Sequence, residues 1–309
     1  MDLQTSLIYF INDGVLAGKS PTTLKCYQYN TKLFFDYIRN NFLPMELGSC
    51  SRETLERFMI YGLKIKKWSR IYHWSVYQKL HVYFNWCVKR ELLVVNPLKE
   101  IPKPKMPQLL PKSLNEQEVI TLLRTVSNMK TCFHFTTLRN RALIACFIFT
   151  GLRKNEMINL KIDDVDLDNG FIQVERGKGG KRREVPIEEQ TLKPLLLEYT
   201  QYKIRLGKIS EWFFNGTFNG RNLDNKIAVS TVDRLFTKLS GLTNKRVSAH
   251  KLRHSFATLL LDKTGDIYTL KELMGHSNIA TTCVYLSSTR RKKVEVIKQL
   301  QLEENPKYT

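Results

Sequence analysis

Five of the ten prolines in this 309-residue chain fall between Asn96 and Pro111, in the run NPLKEIPKPKMPQLLP. Proline lacks a backbone donor and fixes one dihedral, so neither a helix nor a central strand can run through such a segment. The chain is therefore expected to fold as two units joined by an extended connection with limited slack. Its length gives each unit enough residues for a core of its own. The boundaries read this way are residues 1–104 for a first domain, 105–111 for a linker and 112–309 for a second domain. Lys99, Lys103 and Lys105 make the connection basic as well as stiff.

Up to about Asn96 the apolar pattern is helical. Leu3, Leu7, Phe10 and Ile11 recur at helical spacing. Ser20 before Pro21 is an N-cap followed by proline at the first helical position, and Leu24, Tyr27, Phe34, Tyr37 and Ile38 continue that helix's apolar face. Glu53–Leu63 and Tyr77–Leu92 supply two more helices, which makes a bundle of four or five. Between them, Lys64–Trp74 interleaves Lys66, Lys67, Arg70 and His73 with aromatic residues. That mixture suits phosphates with rings for sugars or bases, and it equally describes lysines snorkelling beside core aromatics.

In the second half, Asn115 with Glu118 forms a capping box that opens a helix. The apolar helix Arg139–Phe149 runs into Thr150-Gly151-Leu152-Arg153-Lys154-Asn155-Glu156, where the glycine allows a tight approach and Arg153 starts the next helix. An arginine and a glutamate three apart can also be an ordinary surface pair. Phe171–Val174 and Arg183–Val185 read as a β-hairpin joined by Gly177-Lys178-Gly179-Gly180-Lys181. A lysine in so glycine-rich a turn can reach into a groove and give a proton to a leaving alkoxide. The phosphate loop G-x-x-x-x-G-K-[ST] is absent from the sequence. Trp212-Phe213-Phe214 is expected as a short strand and Ser230–Leu239 as a helix.

Ala249–Tyr285 carries the chemistry. His250 and Arg253 are three apart on one helix, a Gly-His pair follows at Gly275-His276, and Tyr285 stands nine residues after that histidine. Cationic and imidazole groups gathered before a tyrosine suggest phosphate chemistry with the phenol as nucleophile. A free phenol titrates near ~10 and attacks poorly at neutral pH unless nearby cations favour its anion. His250 and His254 have a spacing that can bind zinc, but Lys251 stands where a metalloprotease carries its glutamate and cations crowd the site, so zinc is rejected. His254 is expected to pack or hydrogen-bond behind the catalytic face. A serine hydrolase lacks support, since there is no G-x-S-x-G.

The run His250-Lys-Leu-Arg253-His254-Ser-Phe-Ala-Thr, then Leu273-Met-Gly-His276-Ser-Asn-Ile-Ala-Thr-Thr and Tyr285, resembles the C-terminal signature of the tyrosine recombinases of phage integrase and Xer type. Thr150-Gly-Leu-Arg153 with Glu156 matches the family's first catalytic arginine and its supporting acid, and Lys178 matches the first lysine of its G-K-G-x-K turn. More weakly, Ser20–Tyr27 and Leu33–Tyr37 resemble its core-binding domain. The resemblance implies a mainly α fold with a small β-sheet: an N-terminal helical, SAM-like bundle and an α+β catalytic domain ending in a docking helix. It implies catalytic roles for Arg153, Lys178, His250, Arg253, His276 and Tyr285. The reaction would be strand exchange through a 3′-phosphotyrosine that conserves bond energy, with no ATP, metal or other cofactor. The expected partners are a specific double-stranded DNA site and a homo- or heterotetramer on two such sites. Lys66, Lys67, Arg70, Lys103, Lys105 and Lys181 are the candidate DNA contacts. The helix Arg290–Leu300, with its narrow stripe of Val294, Ile297 and Leu300, would dock on a neighbouring protomer.

The formal charge of +20 favours such a polyanionic partner, because neutralising phosphates releases condensed counterions. Basic residues are spread through both halves, as expected if a duplex is gripped from two sides. The six cysteines show no C-x-x-C pair or disulfide framework and are expected as buried free thiols in a reducing cytosol. With no signal-peptide pattern and no apolar run long enough for a bilayer, the expected location is cytoplasmic, away from membranes. Nothing before Leu3 suggests an arm-binding domain, which favours a Xer-like or transposon recombinase over a long-armed phage integrase. A type IB topoisomerase or telomere resolvase shares this active-site logic, and a DNA-binding protein with a decayed site is the reading from another class. Retention of all six expected residues argues against decay.

Overall fold

The computed structural model describes residues 1–105, 113–175, 182–207, 210–218, 221–276 and 278–283, with backbone only at 217, 218, 221–223 and 280. Lys178, Lys181, Tyr285 and the 290–300 segment lie outside the described residues. The chain divides into two compact units, Met1–Leu109 and Leu110–Thr309.

The first unit is a bundle of α1 (Leu3–Leu16), α2 (Pro21–Asn40), α3 (Arg52–Lys64) and α4 (Arg70–Lys89). Each begins at a polar cap: the side chains of Asp2, Ser20, Ser51 and Ser69 accept the N–H of Thr5, Thr23, Thr54 and Tyr72. Such a cap is worth about 1 kcal/mol, and Ser69 starts α4 at Arg70, a turn and more before the Tyr77 expected from apolar spacing. The core is aromatic, with Phe34, Phe58, Tyr83 and Phe84 packed edge to face or tilted. Ser6 Oγ lies 2.5 Å from Tyr83 Oη, so the buried phenol is satisfied. Asp13 on α1 accepts from Trp86 Nε1 and from both Nε and Nη2 of Arg90, which ties α1 to the end of α4.

The proline-rich connection is not extended strap from its first residue. Leu98 and Ile101 are buried in this unit's core, and the Tyr77 hydroxyl bonds the carbonyls of both, at 3.3 and 3.2 Å. Apolar side chains between the prolines find a home on the bundle, and Lys103 and Lys105 beyond them are exposed.

The second unit opens with α5 (Glu116–Asn128), whose Asn115–Glu118 capping box forms with both hydrogen bonds present. Next comes α6 (His134–Thr150), fully buried from Ala142 to Phe147 because α5, α8 (Leu192–Arg205) and α10 (Ala249–Thr264) pack around it. Between α6 and α8 lie the short α7 (Lys154–Ile158) and an antiparallel sheet of β1 (Val165–Asp166), β2 (Phe171–Val174) and β3 (Arg183–Pro186), in that order. In the β2–β3 register Ile172 faces Val185 and Val174 faces Arg183, so the arginine takes an inward position beside core valines. A second hairpin, β4 (Asn215–Phe218) with β5 (Arg221–Lys226), precedes α9 (Val229–Thr243). After α10 come α11 (Ile267–Met274) and one turn of helix, α12 (Ala280–Cys283).

Trp212–Phe214, expected as a strand, is irregular apart from a single antiparallel bridge between Trp212 and Lys161, and continuous strand pairing starts at Asn215. The reason lies in its backbone partners. Phe213 N–H goes to Leu160 O, while the buried Lys203 ammonium takes the Trp212 carbonyl at 2.5 Å and the Phe213 carbonyl at 3.4 Å. The cysteines also depart in part from expectation: Cys50, Cys87 and Cys146 are buried, Cys26 is half-buried, and Cys132 and Cys283 are exposed.

Burial lowers the Lys203 pKa to about 8 from 10.5. Between those values the unfolded chain holds more protons than the folded one, so stability rises with pH across the window. Wild type should therefore gain about 2 kcal/mol relative to Lys203→Met between pH 7.5 and 10, read from urea unfolding of both proteins. A constant difference between the two would mean that Lys203 stays protonated across the window and would contradict its lowered pKa.

Candidate active site

Four elements end or begin at one place in the second unit. Gly151 closes α6 with φ of 61°, and a Cβ there would fall 2.4 Å from the Phe256 ring, so glycine alone fits on both counts. The turn sets Arg153 as the N-cap of α7. Its backbone N–H donates to Glu156 Oε2 at 2.8 Å, its Nη1 to Glu156 Oε1 at 2.8 Å, and its Nη2 to Gly275 O at 3.4 Å. Arg153 stays half-exposed while Glu156 is largely covered.

On α10, Ser248 caps the helix and places His250 in its first turn and Arg253 one turn on. Arg253 is buried. Its Nη1 donates to Gly151 O at 2.6 Å, and its Nη2 to Met274 O at 2.7 Å and to His276 Nε2 at 3.0 Å. Gly275, with φ of 61°, ends α11 and turns the chain so that His276 meets this arginine. The other nitrogen of His276, Nδ1, is 2.9 Å from Thr282 Oγ1 on α12. Together Arg153, His250, Arg253, His254 and His276 line one open cavity of about 690 Å³. At its edge Lys154 pairs with Asp233 at 2.8 Å.

Burial, with Arg253, Arg153 and Arg183 adding to it, pushes His276 down to about 4. Burial, then His250 and Arg253, pushes His254 down to about 4. Both rings are neutral at physiological pH, so the cavity's fixed positive charge comes from its arginines and lysine rather than from these imidazoles.

His254 does not sit behind the catalytic face. It lines the same cavity, and its Nε2 is 2.8 Å from His250 Nε2. Adjacent turns of α10 bring the two rings together, so the spacing that suggested a metal pair is used for an imidazole–imidazole hydrogen bond. Among the described residues no cluster of three or more His, Cys, Asp or Glu could hold a metal ion.

The sequence does not single out Arg183, which follows Lys181 and Arg182. From β3 its Nη1 and Nη2 clasp the two oxygens of Glu156 at 3.1 and 2.8 Å, and its Nε donates to Leu273 O at 2.8 Å. It thereby fixes the acid that fixes Arg153, and it ties α11 to the sheet. The signal available was its register: it alternates with Val185 on the inward face, where an arginine needs a partner. Lys66, Lys67, Arg70, Lys103 and Lys105 belong to the first unit and are exposed. Of these, Lys66 stands 5.7 Å from the Tyr61 ring and Arg70 opens α4.

Burial pushes the Glu156 carboxyl up, but hydrogen bonds from Arg183 and Arg153 outweigh it and hold the pKa below its ordinary value. The stabilisation is present at neutral pH and is lost as pH falls through that lowered value. Glu156→Gln leaves the buried Arg183 without its counter-charge and should cost about 3 kcal/mol at neutral pH, with less of a difference from wild type in acid. Urea unfolding at neutral and acidic pH checks this; equal stability at neutral pH would mean the clasp is not formed.

Residues 112–292 match the phage integrase family. The chain is 33% identical over 290 residues to the tyrosine recombinase XerA of Pyrococcus furiosus, covering 94% of this chain and 92% of that protein. It is 31% identical over 300 residues to the tyrosine recombinase XerD of Listeria innocua, covering 96% and 98%. Among solved structures, the XerH site-specific recombinase in a post-cleavage complex with its palindromic difH substrate shares the fold, with a TM-score of 0.75 at 24% identity over 91% of this chain and 80% of that one. A lambda integrase dimer on a COC′ core site does so with a TM-score of 0.70 at 18% identity, covering 92% and 77%.

Proposed function

This chain belongs to the phage integrase family as a Xer-like tyrosine recombinase, an enzyme that cuts and rejoins DNA, and on that premise we propose that Tyr285 is its nucleophile and the arginine-lined cavity its phosphate site. The observation that carries this reading is the convergence of Arg153, His250, Arg253 and His276, drawn from α7, α10 and the end of α11, on one cavity.

A scissile phosphodiester in the cavity meets two guanidinium forks. Arg153 and Arg253 bond its non-bridging oxygens and stabilise the pentavalent transition state, where charge on those oxygens is greatest. Glu156 and Arg183 keep Arg153 aimed without neutralising the whole site, since Glu156 is shared between two arginines. The Tyr285 oxygen forms a bond to phosphorus, the bond to the 5′-oxygen breaks, and Lys178 gives that oxygen its proton. His250, exposed in the cavity, takes the phenol's proton as the new bond forms. His276 accepts from Arg253 and holds it in place. A second 5′-hydroxyl then attacks the phosphotyrosine by the reverse steps, so the phosphodiester energy is conserved.

The partner is duplex DNA carrying a specific site, engaged by a tetramer on two sites in the cytoplasm. The relatives of this fold solved with difH and core-site DNA support the choice of partner, as does the charge of +20. No helix among the described residues is long and apolar enough to cross a membrane. The test is to isolate the protein from cells under denaturing conditions and sequence the DNA that remains attached. One recurring site, whose two copies on a plasmid are exchanged by the purified protein, is the expected result. Relaxation of any supercoiled plasmid without site preference would instead mark a topoisomerase.

A further inference from the structure

Thr282 is completely buried and lies three residues before Tyr285 in the chain. Its backbone N–H is tied to Ile279 O at 2.7 Å, and its Oγ1 stands 2.9 Å from His276 Nδ1. The other ring nitrogen, Nε2, faces Arg253 Nη2 at 3.0 Å. A guanidinium has donors and no acceptor, so Nε2 must offer its lone pair. The ring proton then sits on Nδ1, and Thr282 Oγ1 accepts it. The opposite tautomer and the imidazolium would both set an N–H against the arginine's N–H.

We propose that Thr282 is a positioning residue that locks His276 in its Nδ1–H tautomer and, through it, holds Arg253 at the cavity. Arg253 leaves Nε2 only the acceptor's role, the hydroxyl accepts the Nδ1 proton and so stabilises that tautomer, and Gly151 O and Met274 O complete the seat of the guanidinium. The neutral state that burial and neighbouring arginines give His276 agrees with this assignment. Valine at 282 keeps the shape and removes the acceptor, which leaves a buried N–H unpaired and frees the ring to change tautomer. Serine keeps the acceptor. The effect on cleavage rests on the recombinase reading above, whereas the tautomer does not.

The test is ring 15N–1H correlation on histidine-labelled full-length protein, with the His276 signals among the six histidines identified by their loss in His276→Gln. Wild type and Thr282→Ser should show a protonated Nδ1 and an unprotonated Nε2, and Thr282→Val should lose that pattern. On a cleavable DNA site Thr282→Val should cleave roughly tenfold more slowly at unchanged DNA affinity, and Thr282→Ser should be within about twofold of wild type. A protonated Nε2 in wild type would overturn the assignment, and so would an unaltered Nδ1–H pattern in Thr282→Val. Normal cleavage by Thr282→Val with the tautomer lost would overturn its catalytic part. If the valine variant does not fold, the wild-type and serine spectra still decide. Expected spectra in a protein that forms no DNA adduct would uphold the tautomer and count against the recombinase reading instead.

Discussion

Arg253→Ala should slow covalent DNA cleavage by roughly a hundredfold or more, the loss typical of one preorganised donor to a charged transition state. Arg253→Lys should recover little of it. A lysine ammonium can replace the charge but cannot span Gly151 O, Met274 O and His276 Nε2 from one planar fork. Because those acceptors tie α6, α10 and α11 together, both variants should also be measurably less stable to urea. Arg153→Ala provides the contrast. Its side chain is half-exposed, so the same loss of rate should come with little loss of stability. Single-turnover cleavage and urea unfolding of the three variants separate the two arginines. Arg253→Ala cleaving within tenfold of wild type would remove it from the phosphate site.

The residues that line the cavity were legible because the chemistry proposed for them constrains both their identity and their order along the chain. Thr150-Gly151-Leu152-Arg153 could be read as a helix end and a projecting arginine, and the left-handed Gly151 with its tight contact to Phe256 is what that reading needs. Local caps were legible for the same reason: Ser20 before Pro21 and Asn115 before Glu118 act within a few residues. Ser69 is hard to read as a helix start because the aromatic and basic run around it has the composition of a binding patch.

Contacts made across long stretches of chain were not legible. Arg253 meets the carbonyl of a residue 102 positions away, and nothing local announces it. Arg183 follows Lys181 and Arg182, so its composition reads as solvated charge, whereas the sheet register turns it inward to Glu156. The segment Trp212–Phe214 looked like a strand from its aromatics, but its carbonyls are committed to a buried lysine that only the fold brings there. The tautomer of His276 depends on two partners, Arg253 and Thr282, from different elements.

Tyr285→Phe should abolish cleavage altogether. The substitution removes one oxygen and little volume, so folding and DNA affinity should be retained, while no phosphotyrosine can form. The tyrosine's position nine residues after His276, and three after the buried Thr282 of α12, is the observation behind this. The most direct measurement is a denaturing gel of protein with a nicked copy of the recovered DNA site, in EDTA and without ATP, so that the cleaved strand escapes and the adduct accumulates. Wild type should give a shifted protein–DNA band and Tyr285→Phe none at equal DNA binding. A shifted band of the same intensity in Tyr285→Phe would contradict the account.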